Sequence, residues 1–127
     1  MDPSIILEAA STAGRHACQF SWSPLRKGRH AVLEGATWSL LPDGTASFDA
    51  TVAGAADGDA WVIWHVDLLD GDGFILGSLA TEDPVDGDWR KFVTVMPRAG
   101  ERYHFRGSAS FDPALWDGIA RLKMYLS

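Results

Sequence analysis

Cysteine is almost missing from this sequence: there is one, Cys18, in 127 residues. No intrachain disulfide can form, so the fold must rest on its core, and a buried structural thiol is the ordinary role of a lone cysteine. Metal-ligand spacing is missing as well. His16 and Cys18 form a pair without further partners, and His30 and His104 stand apart from them, so no zinc-type ligand set can be assembled from the spacing. A glycine-rich phosphate loop and a Gly-x-Ser-x-Gly elbow are both absent, which removes the sequence signals of nucleotide binding and of an activated serine. No cofactor and no metal are expected.

Positive charge is scarce: 11 Lys and Arg stand against 17 Asp and Glu, a formal net charge of −6. Nucleic acid and anionic membrane both select for clustered cations, so neither is expected as a partner. The one basic concentration, Arg26, Lys27, Arg29 and His30, reads as a solvated loop over 25–30 that balances an acidic body. Long hydrophobic runs are also lacking, and none approaches the roughly 20 residues that cross a bilayer. The apolar patch Ile5-Ile6-Leu7 has no basic segment before it and is too short for a signal-peptide core. The expected location is the cytoplasm.

Large aromatics are what the chain does have. Six Trp and six Phe supply big apolar blocks to a chain long enough to bury about two-thirds of its unfolded surface. The stretch 35–52, GATWSLLPDGTASFDATV, reads as a complete β-hairpin. Pro42 presets φ in its turn and Gly44 supplies the left-handed position. With Leu41 opposite Thr45, Leu40 faces Ala46, Trp38 faces Phe48 and Ala36 faces Ala50. The apolar residues then share one face, and a slip of one residue would turn them all to water.

Around that hairpin the pattern predicts a single β-domain over 17–127, preceded by an arm or short helix over 1–16 that Asp2-Pro3 would cap. Strands are expected over 17–23, with Cys18, Phe20 and Trp22 inward, and over 60–69, 74–79, 91–96, 103–111 and 119–126. Asp112-Pro113 starts one helical turn before the last of these. The total is about seven or eight short strands with frequent turns, the pattern of an all-β antiparallel sandwich or small barrel.

Strand 60–69, AWVIWHVDLL, breaks the rule that one face is wet. Strict alternation puts Val62, Trp64, Val66 and Leu68 on one side and Trp61, Ile63, His65, Asp67 and Leu69 on the other. If Leu69 pairs with Phe74 across the turn 70–73, Leu76 comes opposite Asp67 and Ser78 opposite His65. Something apolar must then cover the second face: another layer, a subunit or a ligand. His65 and Asp67 are the candidate catalytic residues, because an apolar setting raises a carboxylate pKa and lowers that of an imidazole, which suits a general acid and base near neutral pH. Trp61, Ile63, Phe74, Leu76 and Trp89 are the candidate substrate-binding residues, Trp89 from an acidic loop over 80–90. The bland alternative makes His65 and Asp67 the wet end of a strand whose other half is core. The turn 70–73, Asp-Gly-Asp-Gly, lacks the ligand spacing and closing Glu of a calcium loop, and Asp-Gly pairs are what hairpin turns need anyway.

The segments 35–52, 59–61 (DAW), 91–93 (KFV) and 102–125 (RYHFRGSASFDPALWDGIARLKMY) resemble a family of small, uncharacterised β-domains from actinobacteria. The resemblance covers most of the chain after Phe20 and implies a β fold. It implies no activity and no site residues. Members of that family tend to carry a secretion signal and paired cysteines, and this chain has neither, which points to a role inside the cell. Two functions fit the residues. One is a cofactor-independent enzyme of small-molecule, natural-product-type metabolism, a cyclase or isomerase working by pocket shape and proton transfer. The other is a non-catalytic β-domain that binds a small molecule or a protein, with a homodimer as one possible partner arrangement.

Overall fold

Twelve strands are described in a computed structural model of the chain, which covers residues 5–10, 18–22, 25–27, 30–32, 36–82, 84–85 and 87–126. They are β1 (Ile5–Ala10), β2 (Cys18–Trp22), β3 (Leu25–Lys27), β4 (His30–Val32), β5 (Ala36–Leu40), β6 (Thr45–Gly54), β7 (Asp59–Leu69), β8 (Ile75–Ser78), β9 (Ala80–Thr81), β10 (Phe92–Met96), β11 (Tyr103–Ser110) and β12 (Arg121–Leu126). A 3-10 helix over Pro113–Gly118 precedes β12, and the Asp112 carboxylate caps it by accepting from the Ala114 amide at 2.9 Å.

The β5–β6 hairpin has the expected register, with Trp38 opposite Phe48 and Leu40 opposite Ala46. Its turn works as the residue types require. Leu41 N–H donates to the Thr45 carbonyl at 2.9 Å, and Gly44 takes φ +92°. The Asp43 carboxylate locks the turn by accepting from the Thr45 amide (2.9 Å) and hydroxyl (2.7 Å).

The strands form two antiparallel sheets. The first runs β1-β12-β7-β10, with β8 on the far half of β7. The second runs β2-β5-β6-β11-β9, with β4 on β6 and β3 on β4. Among the described residues no ladder joins the two, so the fold is a sandwich, open along the seam where β10 and β11 approach. Between the sheets lies one aromatic core. The Trp38 ring is 5.0 Å from Phe48 and 5.4 Å from Phe92, and its indole N–H reaches the Met124 sulfur at 3.3 Å. One buried side chain of the second sheet thus touches two strands of the first. No helix among the described residues is long and apolar enough to cross a membrane.

Two expectations need correction. Residues 5–10 are a strand, antiparallel to β12 with Ile5 opposite Leu126 and Ala10 opposite Arg121. Alternation puts Leu7 and Ala9 against the core while Ile6 and Glu8 face out, so tertiary pairing overrides a segment that reads equally well as a helix start. Asp2 and Pro3 lie outside the described residues. The basic stretch is likewise no simple loop: β3 and β4 pair with each other, and β4 adds to β6.

Candidate functional site

The site depends on one extra residue in β7. Tyr125 of β12 lies opposite His65, but the next pair is Leu126 with Ile63, so Trp64 is an unmatched residue, a β-bulge. A bulge reverses the phase of alternation. Before it, Trp61 and Ile63 point into the sandwich, each with 0% exposure; after it, Val66 and Leu68 do. His65 and Asp67 therefore face outward, on the opposite side from Trp61 and Ile63. The single face proposed for these four residues is corrected. No second apolar layer is needed to explain the strand, because both of its apolar halves serve the same core.

The second hairpin also shifts. The Asp70 carboxylate accepts from the Asp72 and Phe74 amides, both at 2.9 Å, and Asp70 N–H donates to the Phe74 carbonyl. This wider turn pairs Leu69 with Ile75, and a second bulge at Leu76 then sets Ser78 opposite Asp67 rather than His65. The register builds three rows across the outer face of the first sheet: Ile6, Tyr125 and His65; Glu8, Lys123, Asp67 and Ser78; Arg121, Leu69 and Ile75.

At the centre, His65 Nε2 lies 3.7 Å from Asp67 Oδ2, too far for a hydrogen bond and attractive only when the imidazole is protonated. The other Asp67 oxygen accepts from the Ser78 hydroxyl at 2.8 Å. This satisfies a carboxylate in a residue only 7% exposed. The imidazole stacks on the Tyr125 ring, centroids 4.0 Å apart and planes 23° apart. Burial lowers the His65 pKa below its ordinary value and outweighs the opposing pull of Asp67; Arg90 lowers it further, and Asp88 raises it. His65 is thus a neutral imidazole near neutral pH. Because Ser78 donates to Asp67 and not to His65, the imidazole is not placed to take its proton, and the trio does not form a nucleophilic triad.

Two aromatic and basic pairs belong to the same strand and the loop after β9. Lys91 Nζ lies 4.6 Å above the Trp64 ring, and the Arg90 guanidinium lies 5.5 Å from the Trp89 ring and 3.9 Å from Asp88. Of the expected binding residues, Trp89 is 51% exposed in this loop. Phe74 projects from the turn at 70% exposure. Leu76 packs toward the core and the 3-10 helix, next to Gly118. Tyr125 and Arg90 are missed by sequence reasoning because no local signal names a cross-strand neighbour. Among the described residues no three of His, Cys, Asp and Glu stand together as metal ligands.

Residues 37–127 match the model of a family described as "Family of unknown function (DUF6294)". The chain belongs to that family. No curated protein and no solved structure matches it. The DUF6294 match contains β7, β8, β12 and the 80–90 loop, and so His65, Asp67, Ser78, Arg90 and Tyr125. It leaves out β1 and β2, which sit at one edge of each sheet.

Proposed function

We propose that this protein is a small-molecule-binding β-sandwich domain whose ligand meets the outer face of the first sheet at His65 and Asp67. The observation that carries this reading is a neutral, half-buried imidazole fixed by a tyrosine stack beside a buried carboxylate. Such a group offers one directed hydrogen-bond site with no reorganisation on binding. Exposed Ile6, Ile75 and Trp89 around it offer apolar contact to the body of an organic ligand. The setting in this reading is natural-product-type metabolism in the cytoplasm.

The catalytic reading, a cofactor-free cyclase or isomerase with His65 as proton acceptor and Asp67 as its partner, is supported by the same lowered imidazole pKa. It ranks second because the apolar walls it needs are elsewhere: Trp61 and Ile63 lie in the core, and proton transfer gains most in a site closed to water.

Native mass spectrometry of the freshly purified chain tests the proposal and counts subunits in the same spectrum. The expected result is a small-molecule adduct on the wild-type protein that is lost in His65→Ala while the melting transition persists. An adduct kept by both His65→Ala and Asp67→Ala, or no adduct from any preparation, refutes it. A multiple of the chain mass that dissociates in Ile75→Glu moves the face to a subunit interface.

A further inference from the structure

β12 is an interior strand of the first sheet, paired with β1 on one side and with β7 on the other. Its outward residues are therefore flanked on both sides by described strands. Lys123 stands between Glu8 and Asp67, and Tyr125 between Ile6 and His65. Such cross-strand neighbours lie about 5 Å apart at Cβ, so two carboxylates are within reach of the Lys123 side chain.

Both carboxylates are engaged with other donors. Asp67 Oδ1 accepts from the Ser78 hydroxyl at 2.8 Å, and Glu8 accepts from the Arg121 guanidinium at 3.0 Å. In the loop beside them, Asp88 accepts from the Arg90 amide at 2.9 Å and lies 3.9 Å from its guanidinium. Lys123 has no such partner. Among the described residues its ammonium makes no hydrogen bond and no ion pair, and its one contact is the Tyr125 ring, 5.8 Å from Nζ to the centroid. The Tyr125 hydroxyl is likewise without a hydrogen-bond partner among the described residues. His65, kept neutral near neutral pH by its burial, adds a donor without adding charge. The imbalance across these side chains is one uncommitted cation with a phenol and an imidazole beside it, while each carboxylate already has a donor.

We propose that the ligand of this face is an organic monocarboxylate, whose oxygens take the Lys123 ammonium and the Tyr125 hydroxyl and whose apolar body lies over Ile6. The inference rests on the reading of the outer face as a ligand site, and it gives that ligand a charge. A carboxylate can accept from both donors at once, and charge-assisted hydrogen bonds are the stronger kind. A phosphate dianion fits less well. The guanidiniums that would fork onto it, Arg90 and Arg121, are held by Asp88 and Glu8, and its second charge would face Asp67 and Glu8 with no free cation to offset it. An ammonium ligand would meet Lys123 itself. Ile6, 55% exposed on the far side of Tyr125 in the same row, offers apolar contact next to the polar end.

The test uses the full chain and three probes with one tail, hexanoate, 1-hexanol and hexylammonium, titrated by amide-resolved NMR. Hexanoate should give saturable shifts at residues 65–67 and 123–125, with a dissociation constant at least about tenfold lower than that of hexanol or hexylammonium. Lys123→Met keeps the length of the side chain and should weaken hexanoate about tenfold, erasing its preference over hexanol. Lys123→Arg should retain that preference. Tyr125→Phe preserves a ring for His65 to stack on and should weaken hexanoate about three- to tenfold. Hexanoate that does not saturate, that binds no tighter than hexanol, or that binds Lys123→Met as tightly as wild type overturns the proposal. Native mass spectrometry separates that failure from failure of the reading beneath it. An adduct lost in His65→Ala but kept in Lys123→Met leaves the face as the site and overturns only the carboxylate; one kept by His65→Ala, Asp67→Ala and Lys123→Met overturns both.

Discussion

Replacing Trp61 with alanine and, separately, Trp64 with alanine measures the bulge directly. Trp61 is fully buried between the sheets, and truncating a buried Trp costs about 3–5 kcal/mol once the residual cavity is included. For a domain of this length, that lowers Tm by about 11–19 °C. Trp64 is half-buried on the outer side of the fold, with Lys91 above its ring, and its loss should cost about 1 kcal/mol, or less than about 4 °C. Strict alternation without a bulge predicts the reverse, since Trp64 would then share the core face with Val66 and Leu68. Calorimetry or circular dichroism at one protein concentration separates the cases. A Trp64→Ala loss equal to or larger than that of Trp61→Ala would refute the phase reversal, and with it the outward placement of His65 and Asp67.

Two further outcomes concern the cluster itself. Ser78→Ala removes the hydroxyl donor of the buried Asp67 carboxylate and should destabilise by about 1.5–3 kcal/mol, read as a lower urea midpoint; an unchanged midpoint would show that solvent already serves that oxygen. His65 has its folded pKa below the ordinary imidazole value of 6.5, so the unfolded chain binds this proton more readily. Its effect on stability is nil well above pH 6.5 and grows unfavourable as pH falls through that value toward the folded pKa. His65→Gln should therefore flatten the Tm-against-pH curve below pH 6.5, and a curve parallel to wild type would contradict the assigned direction.

The parts of this fold that could be read from sequence are those where local chemistry and long-range pairing agree. Pro42, Asp43 and Gly44 specify a turn that the alternation of 36–40 and 45–50 also demands, and the Asp112-Pro113 cap is equally self-contained. Reading fails where a single residue changes the count. Nothing in WVIWHVD marks Trp64 as unmatched, because Val62, Trp64, Val66 and Leu68 alternate perfectly on paper; the bulge follows from where β12 must lie. The N-terminal segment fails for a similar reason, since IILEAA carries no period that separates helix from strand and only its pairing with residues 121–126 decides. His65 and Asp67 are neighbours on any reading because they lie two apart on one strand. Their stack with Tyr125 and bond to Ser78 depend on two registers that no local signal states.

The union of β1 with β12 sets the order in which this molecule can be completed. Ile5 meets Leu126 only after nearly the whole described chain has been drawn into a closed loop, and contacts so distant in sequence are the slow ones in folding. Tyr125 reaches His65 through β12, so the ring stack on the imidazole forms only when that strand docks. Its chemical shift would then mark the arrival of the closing strand, making the residue at the centre of the candidate site a clock for the end of folding.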